Sequence, residues 1–421
     1  MNRIRKLCLW LIGLFPLYAG AQSLTLEECL DRSRTNWPAI RQYRLIEQSR
    51  DYTLANAARG WLPQVSLSAG AYAFTRPLAE NPRLEAQGFD LNQAVANGTV
   101  TINQTLYDGG RIAAERQTTR AQAEVERHRL DVDLYEVDAR VEQLFFGILL
   151  LDVYLEQNRL LQADLEISQK NIESLRQGGL ADEGDRETIE VERLKANQQH
   201  VALESSRGAY LRMLGTFTGQ ALNDTTRLRH PVSLNPLPLL GEHDPIGRPE
   251  MGWFTAQRQL LEQQSRQLNV RLRPTLSAFG TALLHTQVND LINNGMILGG
   301  VSLRWNIGAF YTRKNDLRLI RLRQERVDSE QALFLFNHRL QRQETNGEIE
   351  SLRRQIKEDE SIVRLRERLR RRSEQRTQMG TESVNELLRS INAVSEARLQ
   401  KALREIQLTQ ALYKLKHINA K

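Results

Sequence analysis

A long apolar run is the first thing this sequence lacks. Past the opening two dozen residues the most apolar stretch, Leu144 to Leu151, is eight residues long and stops at Asp152. A membrane-spanning helix needs roughly 20 apolar residues. If the chain crosses a bilayer it must therefore do so with strands, because only helices and closed barrels satisfy every backbone group in lipid. Cysteine is almost missing as well, with Cys8 and Cys29 the only two. Cys8 lies in residues 1–21, where Arg3, Arg5 and Lys6 lead into the short apolar run Leu7–Tyr18 and Ala19-Gly20-Ala21 offers a cleavage site. That three-part pattern is a secretory signal peptide. Cys8 stands at the start of the run rather than after it, so the chain is expected to be exported without becoming a lipoprotein. Cleavage leaves Cys29 as a single thiol, which excludes an internal disulfide, and the mature chain must hold together by packing.

A dominant charge is also absent. The net charge is +7, and removing Arg3, Arg5 and Lys6 from the 58 basic residues leaves +4 against the 51 acidic ones. Nothing gathers into the basic face with aromatics that nucleic-acid binding uses. His128, His200, His230, His243, His285, His338 and His417 are scattered without paired spacing. There is no zinc, P-loop or dinucleotide motif, and no serine–histidine–acid set. Cys29 reads as a small buried apolar residue rather than a nucleophile. The chain is read as not an enzyme, with no catalytic residues, no metal and no cofactor.

What the sequence does contain is one pattern written twice. Pro38 recurs as Pro249 and Pro63 as Pro274, both displaced by 211 positions. Val100-Thr101-Ile102 recurs as Val301-Ser302-Leu303, Gly179 as Gly380 and Asp185 as Glu386, all displaced by 201. The change falls where the first copy carries a longer polar loop, Arg76 to Asn97. Two copies with so long a period are a duplicated structural unit, not a solenoid. The domains are then 1–21 signal, 22–218 first repeat, 219–247 linker or equatorial segment, and 248–421 second repeat.

Each repeat reads the same way. Thr25-Leu26-Glu27-Glu28 is a capping box opening a helix, and Trp37-Pro38 breaks it before a second helix to about Arg59. Pro249 starts the counterpart. Period-two alternation follows: Val65, Leu67 and Ala69 against Ser66, Ser68 and Gly70, then Val100, Ile102 and Leu106 against Thr101, Asn103 and Thr105. In the second copy Val301, Leu303, Trp305 and Ile307 alternate with Ser302, Arg304 and Asn306. Strands are expected at about 63–74, 98–107, 274–284 and 298–307. Their lengths suit a tilted barrel strand with one apolar and one polar face. Soluble half-buried hairpins show the same alternation, but four such segments with no helix to cover them favour the barrel.

After each hairpin comes a long polar helix. Arg111 to Gly178 holds no proline and only Gly147 inside it, and Thr312 to Met379 has the same length of 68 residues. Each would extend roughly 100 Å. Leu144, Ile148, Leu151 and Leu155, and again Ile362, Leu365 and Leu369, form a narrow apolar seam fit for coiled-coil packing. Each helix turns at a glycine and returns, giving helical hairpins over 111–216 and 312–418, with Val384, Leu387, Leu388, Ile391 and Val394 as the returning seam. Four strands cannot close a barrel, and open edges are not tolerated in lipid. The chain must associate.

In this order the motifs resemble the TolC-like outer-membrane efflux protein family. The most specific piece is Val100 to Arg111, a strand ending in Asp108-Gly109-Gly110-Arg111 at the entry to the long helix. Leu62-Pro63, the start at Leu24, Asn36-Trp37-Pro38, and the turns Gly179-Leu180 with Asp185 and Gly380-Thr381 with Glu386 also fit. The second copy departs at Gly308-Ala309-Phe310-Tyr311, where a differently shaped turn is expected. The resemblance implies an α+β membrane protein: a homotrimer with a 12-stranded β-barrel, four strands per chain, and a periplasmic α-helical tunnel. It further implies the outer-membrane channel of a tripartite efflux or type I secretion system, with a periplasmic adaptor and an inner-membrane pump as partners. A periplasmic coiled-coil adaptor or scaffold is the alternative, although adaptors carry one helical hairpin and a membrane anchor. The cargo is not legible.

Candidate site residues follow. Glu386 can cap its helix with Ser383 or, in three copies, form an acidic ring at the tip, as charged rings do in cation-passing pores. Asp185, with Asp182, repeats the arrangement and reads as a cap. Arg389 occupies the second position where the family often has another acid. Gly179, Leu180, Gly380 and Thr381 form the turns where an adaptor would dock. Arg304, on the polar strand face, is expected to face the pore. Trp61 and Trp305 read as interfacial anchors. The run Arg364, Arg366, Arg368, Arg370, Arg371, Arg372 and Arg376 reads as a solvated helix face.

Overall fold

A computed structural model of the chain describes residues 23–73, 94–179, 181–231, 246–287 and 294–419. The expected signal peptide, Leu180, most of the longer first-copy loop and much of the 219–247 segment lie outside the described residues.

In chain order the elements are β1 (Ser23–Leu24), α1 (Leu26–Asn36), α2 (Arg41–Ala58), β2 (Gln64–Ala73), β3 (Ala94–Tyr107), α3 (Arg111–Gln177) and α4 (Glu183–Thr218). There follow β4 (Arg227–Leu228), α5 (Pro249–Val270), β5 (Thr275–Gln287), β6 (Asn294–Arg304), α6 (Ala309–Gln378) and α7 (Val384–Asn419). The duplicated order of helix, two strands, long helix and returning helix is present in full.

The local signals act as physics requires. Thr25 accepts from the Glu28 N–H while the Glu28 carboxylate accepts from the Thr25 N–H, so the first capping box is closed. The long helices run unbroken over 67 and 70 residues, since neither holds a proline. Their starts differ. In the first copy Gly109 and Gly110 take φ of +69° and +89°, a region that suits glycine. Asp108 then accepts from the Gly110 and Ile112 N–H groups at 2.8 and 2.6 Å. The second copy has no such glycine pair, so the chain enters α6 directly at Ala309.

The chain packs into two compact units, and each draws on both sequence copies. The first takes in the chain up to Ile40, Asp133–Arg248 and the chain from Phe336 on. Its main core joins Val141, Phe145, Phe146 and Ile148 of α3 to Leu26 and Cys29 of α1, Leu211 and Leu214 of α4 and Tyr413 of α7. Each such side chain removed from water contributes roughly 1.5–3 kcal/mol. β1 pairs parallel with β4, so the start of the 219–247 region is tied to the chain's beginning. Arg207 of α4, nearly buried, holds Asp152 and the carbonyls of Asp224 and Thr226.

The second unit, Arg41–Val132 and Pro249–Leu335, holds the sheet. Its four strands lie in the order β2-β3-β5-β6, every neighbouring pair antiparallel. Strands β3 and β5 extend beyond the lengths expected from alternation, to 14 and 13 residues. A register shift between Thr105 and Tyr107 places Leu106 in a bulge, not in the alternating set. Phe254 and Leu261 of α5 pack with Ile320 and Val327 of α6. Among the described residues no helix is long and apolar enough to cross a membrane.

Candidate functional site

Two features of the fold can carry function: the turned ends of the helical hairpins in the first unit, and the two-faced sheet in the second.

The first hairpin turns at Gly179, with φ +74° and open space where a Cβ would stand, so the glycine answers to backbone conformation alone. Its N–H donates to the Arg176 carbonyl at 3.0 Å. Asp182 and Asp185 close a reciprocal cap on α4, at 2.8 Å from the Asp185 N–H and 3.2 Å from the Asp182 N–H. Arg176 bridges the turn, 2.9 Å from Glu173 and 3.7 Å from Glu183. That guanidinium holds the Glu173 carboxyl below the usual carboxylate range.

The second hairpin turns at Gly380, φ +70°. Thr381 donates both its N–H and its hydroxyl to the Arg376 carbonyl at 3.0 Å. Here the expected capping box is only half made. Ser383 accepts from the Glu386 N–H at 3.3 Å, but the Glu386 carboxylate turns to Arg389, 2.6 Å away. A cation one turn along the helix competes better for the carboxylate than the N-cap amide does, because the bond is charge-assisted. Their spacing of three on one helix face allows this pair.

Beneath the turns, Val384 and Leu388 of α7 share a buried cluster with Leu165 and Ile172 of α3 and Ile189 of α4. Arg370, in the arginine run, reaches Asp164 of α3 at 2.7 Å. That arginine is a clamp between hairpins rather than part of a solvated face. The partners stand 206 positions apart, so no local signal could pair them.

The sheet sorts its residues by face. Register pairs Val65 with Ile102, Leu67 with Val100, Ala278 with Val301 and Leu276 with Leu303. Ser66 pairs with Thr101, and Ser277 with both Thr105 and Ser302, on the other side. The apolar side is bare: Val65, Leu67, Ile297, Val301 and Leu303 are all more than half exposed, Ile297 at 88%. Arg304 ends β6 opposite Thr275, so alternation puts it on the polar side with Ser302. Trp61 and Trp305 are exposed beside the strand ends, and the Trp305 indole donates to the Leu272 carbonyl at 2.9 Å.

One predicted seam is left uncovered by its own chain. Leu144 and Ile148 are buried, as is the returning seam from Val384 to Val394, but Ile362, Leu365 and Leu369 are exposed. With Leu319, Leu322, Leu333, Phe336 and Leu340, also exposed, they fall on one face of α6 at steps close to multiples of the helical turn. Periodicity marks a face as apolar; it does not say which chain covers it. Among the described residues no group of His, Cys, Asp and Glu could hold a metal ion.

Residues 29–220 match the family model for the outer membrane efflux protein. The fold of nearly the whole chain is similar to solved outer-membrane channels. These include the Campylobacter jejuni CmeC outer membrane channel, at 12% identity and TM-score 0.70, covering 93% of this chain and 85% of that one. The Vibrio cholerae outer membrane protein VceC matches at 11% identity and TM-score 0.68, covering 93% and 95%. The open state of the Neisseria gonorrhoeae MtrE outer membrane channel matches at 14% and 0.65, covering 93% and 88%. No curated protein matches the chain in sequence. The family match thus covers residues 29–220, and beyond them the likeness to outer-membrane channels is one of fold.

Proposed function

We propose that three copies of this chain form the outer-membrane channel of a tripartite efflux or secretion system, a passive duct for cargo delivered by an inner-membrane pump through a periplasmic adaptor. The observation that carries this reading is the sheet. It has one polar and one bare apolar face, and β2 and β6 each leave an edge unpaired. Lipid is the environment that suits such a face, and in lipid those edges must be closed by further strands. Three copies supply twelve strands, within the range of small membrane barrels. The exposed stripe on α6 supports the same assembly, since a coiled-coil seam left bare by its own chain fits a neighbouring one.

In this reading Arg304 faces the pore, and the turns at Gly179 and Gly380, with Leu180 and Thr381, meet the adaptor. Glu386, Asp185 and Arg389 line the tip constriction. Asp185 is held there by its cap, whereas the Glu386–Arg389 pair is the movable part, because an exposed ion pair holds by only about 0–1 kcal/mol.

The test is fractionation of cells expressing the full chain, an alkaline wash of the outer membranes, and cross-linking of the retained protein. Retention in the pellet with a cross-linked ladder ending at three chains is the expected result. Release into the wash would sink the channel and favour a periplasmic coiled-coil scaffold.

A further inference from the structure

Where the sheet hands over to the helices, the second unit contains a cavity of about 470 Å³ lined by five arginines: Arg111, Arg271, Arg273, Arg304 and Arg313. Among the described residues only two carboxylates line it, Asp108 and Asp316, and both are engaged. Both Asp108 oxygens accept backbone N–H groups of the turn into α3, and Asp316 accepts the Thr312 hydroxyl at 2.9 Å. Arg111 has a distant partner in Glu115 at 3.7 Å. Arg273 donates to the Gly109 carbonyl and Arg313 to the Asn269 side chain, both neutral acceptors. Among the described residues Arg271 and Arg304 have neither an ion pair nor a side-chain hydrogen bond. So much uncompensated positive charge around one concavity repels itself.

A second, independent feature adds to the field. The N-termini of both long helices, at Arg111 and Ala309, open beside this cavity, and neither carries an acid in its first turn. Helix starts in proteins usually recruit acidic side chains to meet the positive end of the helix dipole. At α3 Asp108 fills that role from just before the helix, whereas the start of α6 leaves it open.

We propose that this cavity is a binding site for a phosphate-bearing anion. Forked guanidinium donors match phosphate oxygens two at a time, and the positive end of the α6 dipole adds to the same field. The volume exceeds what one inorganic phosphate fills and suits a di- or triphosphate or a phosphorylated head group. Arg304 reaches the cavity from the polar face of β6, so the anion approaches from that side of the sheet. That this side is a pore rests on the channel reading. The binding itself does not, so the alkaline-wash result and the one below can fail separately.

The test is calorimetric titration of full-length, detergent-solubilised protein with sodium tripolyphosphate, comparing the native chain, Arg271→Gln/Arg304→Gln, and Arg366→Gln as a control on the distant arginine run. Saturable binding is expected, weakened at least tenfold in the double variant and unchanged in the control. A further variant, Arg271→Lys/Arg304→Lys, keeps the charge but loses the fork and should fall between. No binding, or binding weakened equally in the double variant and the control, would overturn the site, the latter by reducing it to general attraction toward a basic protein. Competition by vesicles of a phosphorylated lipid, with a copurifying lipid phosphate seen by mass spectrometry, would identify a lipid head group as the source. Tripolyphosphate binding without that competition would assign the site to soluble phosphates.

Discussion

Glu142 is a carboxyl whose chemistry its surroundings alter strongly. It sits on α3, partly buried, with Asp138 one turn before it and the His417 ring nitrogen 3.9 Å away. The cavity it lines also holds Lys414 and Glu348. Burial, and then the charge of Asp138, push its carboxyl from 4.5 up to about 7, with Lys416 and Arg34 opposing. An acid whose folded value is raised favours the fold while protonated. Its contribution is intact below about pH 4.5 and is lost as pH rises toward 7. That difference corresponds to up to about 3 kcal/mol. Glu142→Gln should therefore leave the urea midpoint unchanged at pH 4 and raise it at pH 8, flattening the profile between. Equal midpoints at both values would mean water reaches the carboxylate and it ionises normally. At the tip, Glu386→Gln and Arg389→Gln should move the reversal potential of reconstituted channels in opposite directions. If the pair lines a constriction, the first strips acid from it and lowers cation preference, while the second bares the acid and raises it. If neither moves it, the pair is helix surface only. Stability should change by less than about 1 kcal/mol in both, as for exposed pairs generally.

At the scale of elements, the turns separate two costs of replacing glycine. Gly179→Ala meets open space, so only the left-handed backbone resists, at about 1–2 kcal/mol. Gly109→Ala has the same backbone demand, but its Cβ would stand 2.9 Å from that of Arg273, so the loss of thermal stability should be larger. Comparable losses would show that the junction yields more easily than its packing suggests. Asp182→Ala removes the better-formed cap and should cost about 0.5–2 kcal/mol. These elements were legible because each is announced locally. Long stretches without proline gave the helices, glycines gave the turns, and alternation at Val65, Val100 and Val301 gave the strands. What was not legible depends on partners far off in sequence. The tie from Arg370 to Asp164, the arginine-lined cavity and the diversion of Glu386 from its cap all need the folded chain. The early start of α6 at Ala309 follows from the missing glycine pair, a difference visible in the sequence whose result needed the structure.

For the molecule as a whole, the exposed and buried leucines of the long helices make opposite predictions. Leu144 belongs to the main core of its unit, so Leu144→Ala should destabilise the isolated chain by about 2–5 kcal/mol. Leu365 and Leu369 are half exposed, so Leu365→Gln/Leu369→Gln should leave the fold of a single chain nearly unchanged. If α6 packs against a neighbouring chain, however, the same double substitution removes apolar area from every copy of that contact at once. Each fully buried leucine is worth roughly 1.5–3 kcal/mol, and in a trimer the loss recurs three times. Native mass spectrometry should then find the variant as monomer with its helical signal intact, while Leu144→Ala melts early yet still assembles at low temperature. A variant at Leu365 and Leu369 that remains trimeric would mean the stripe is not the interface, and the closing contacts would then have to come from the free edges of β2 and β6 alone.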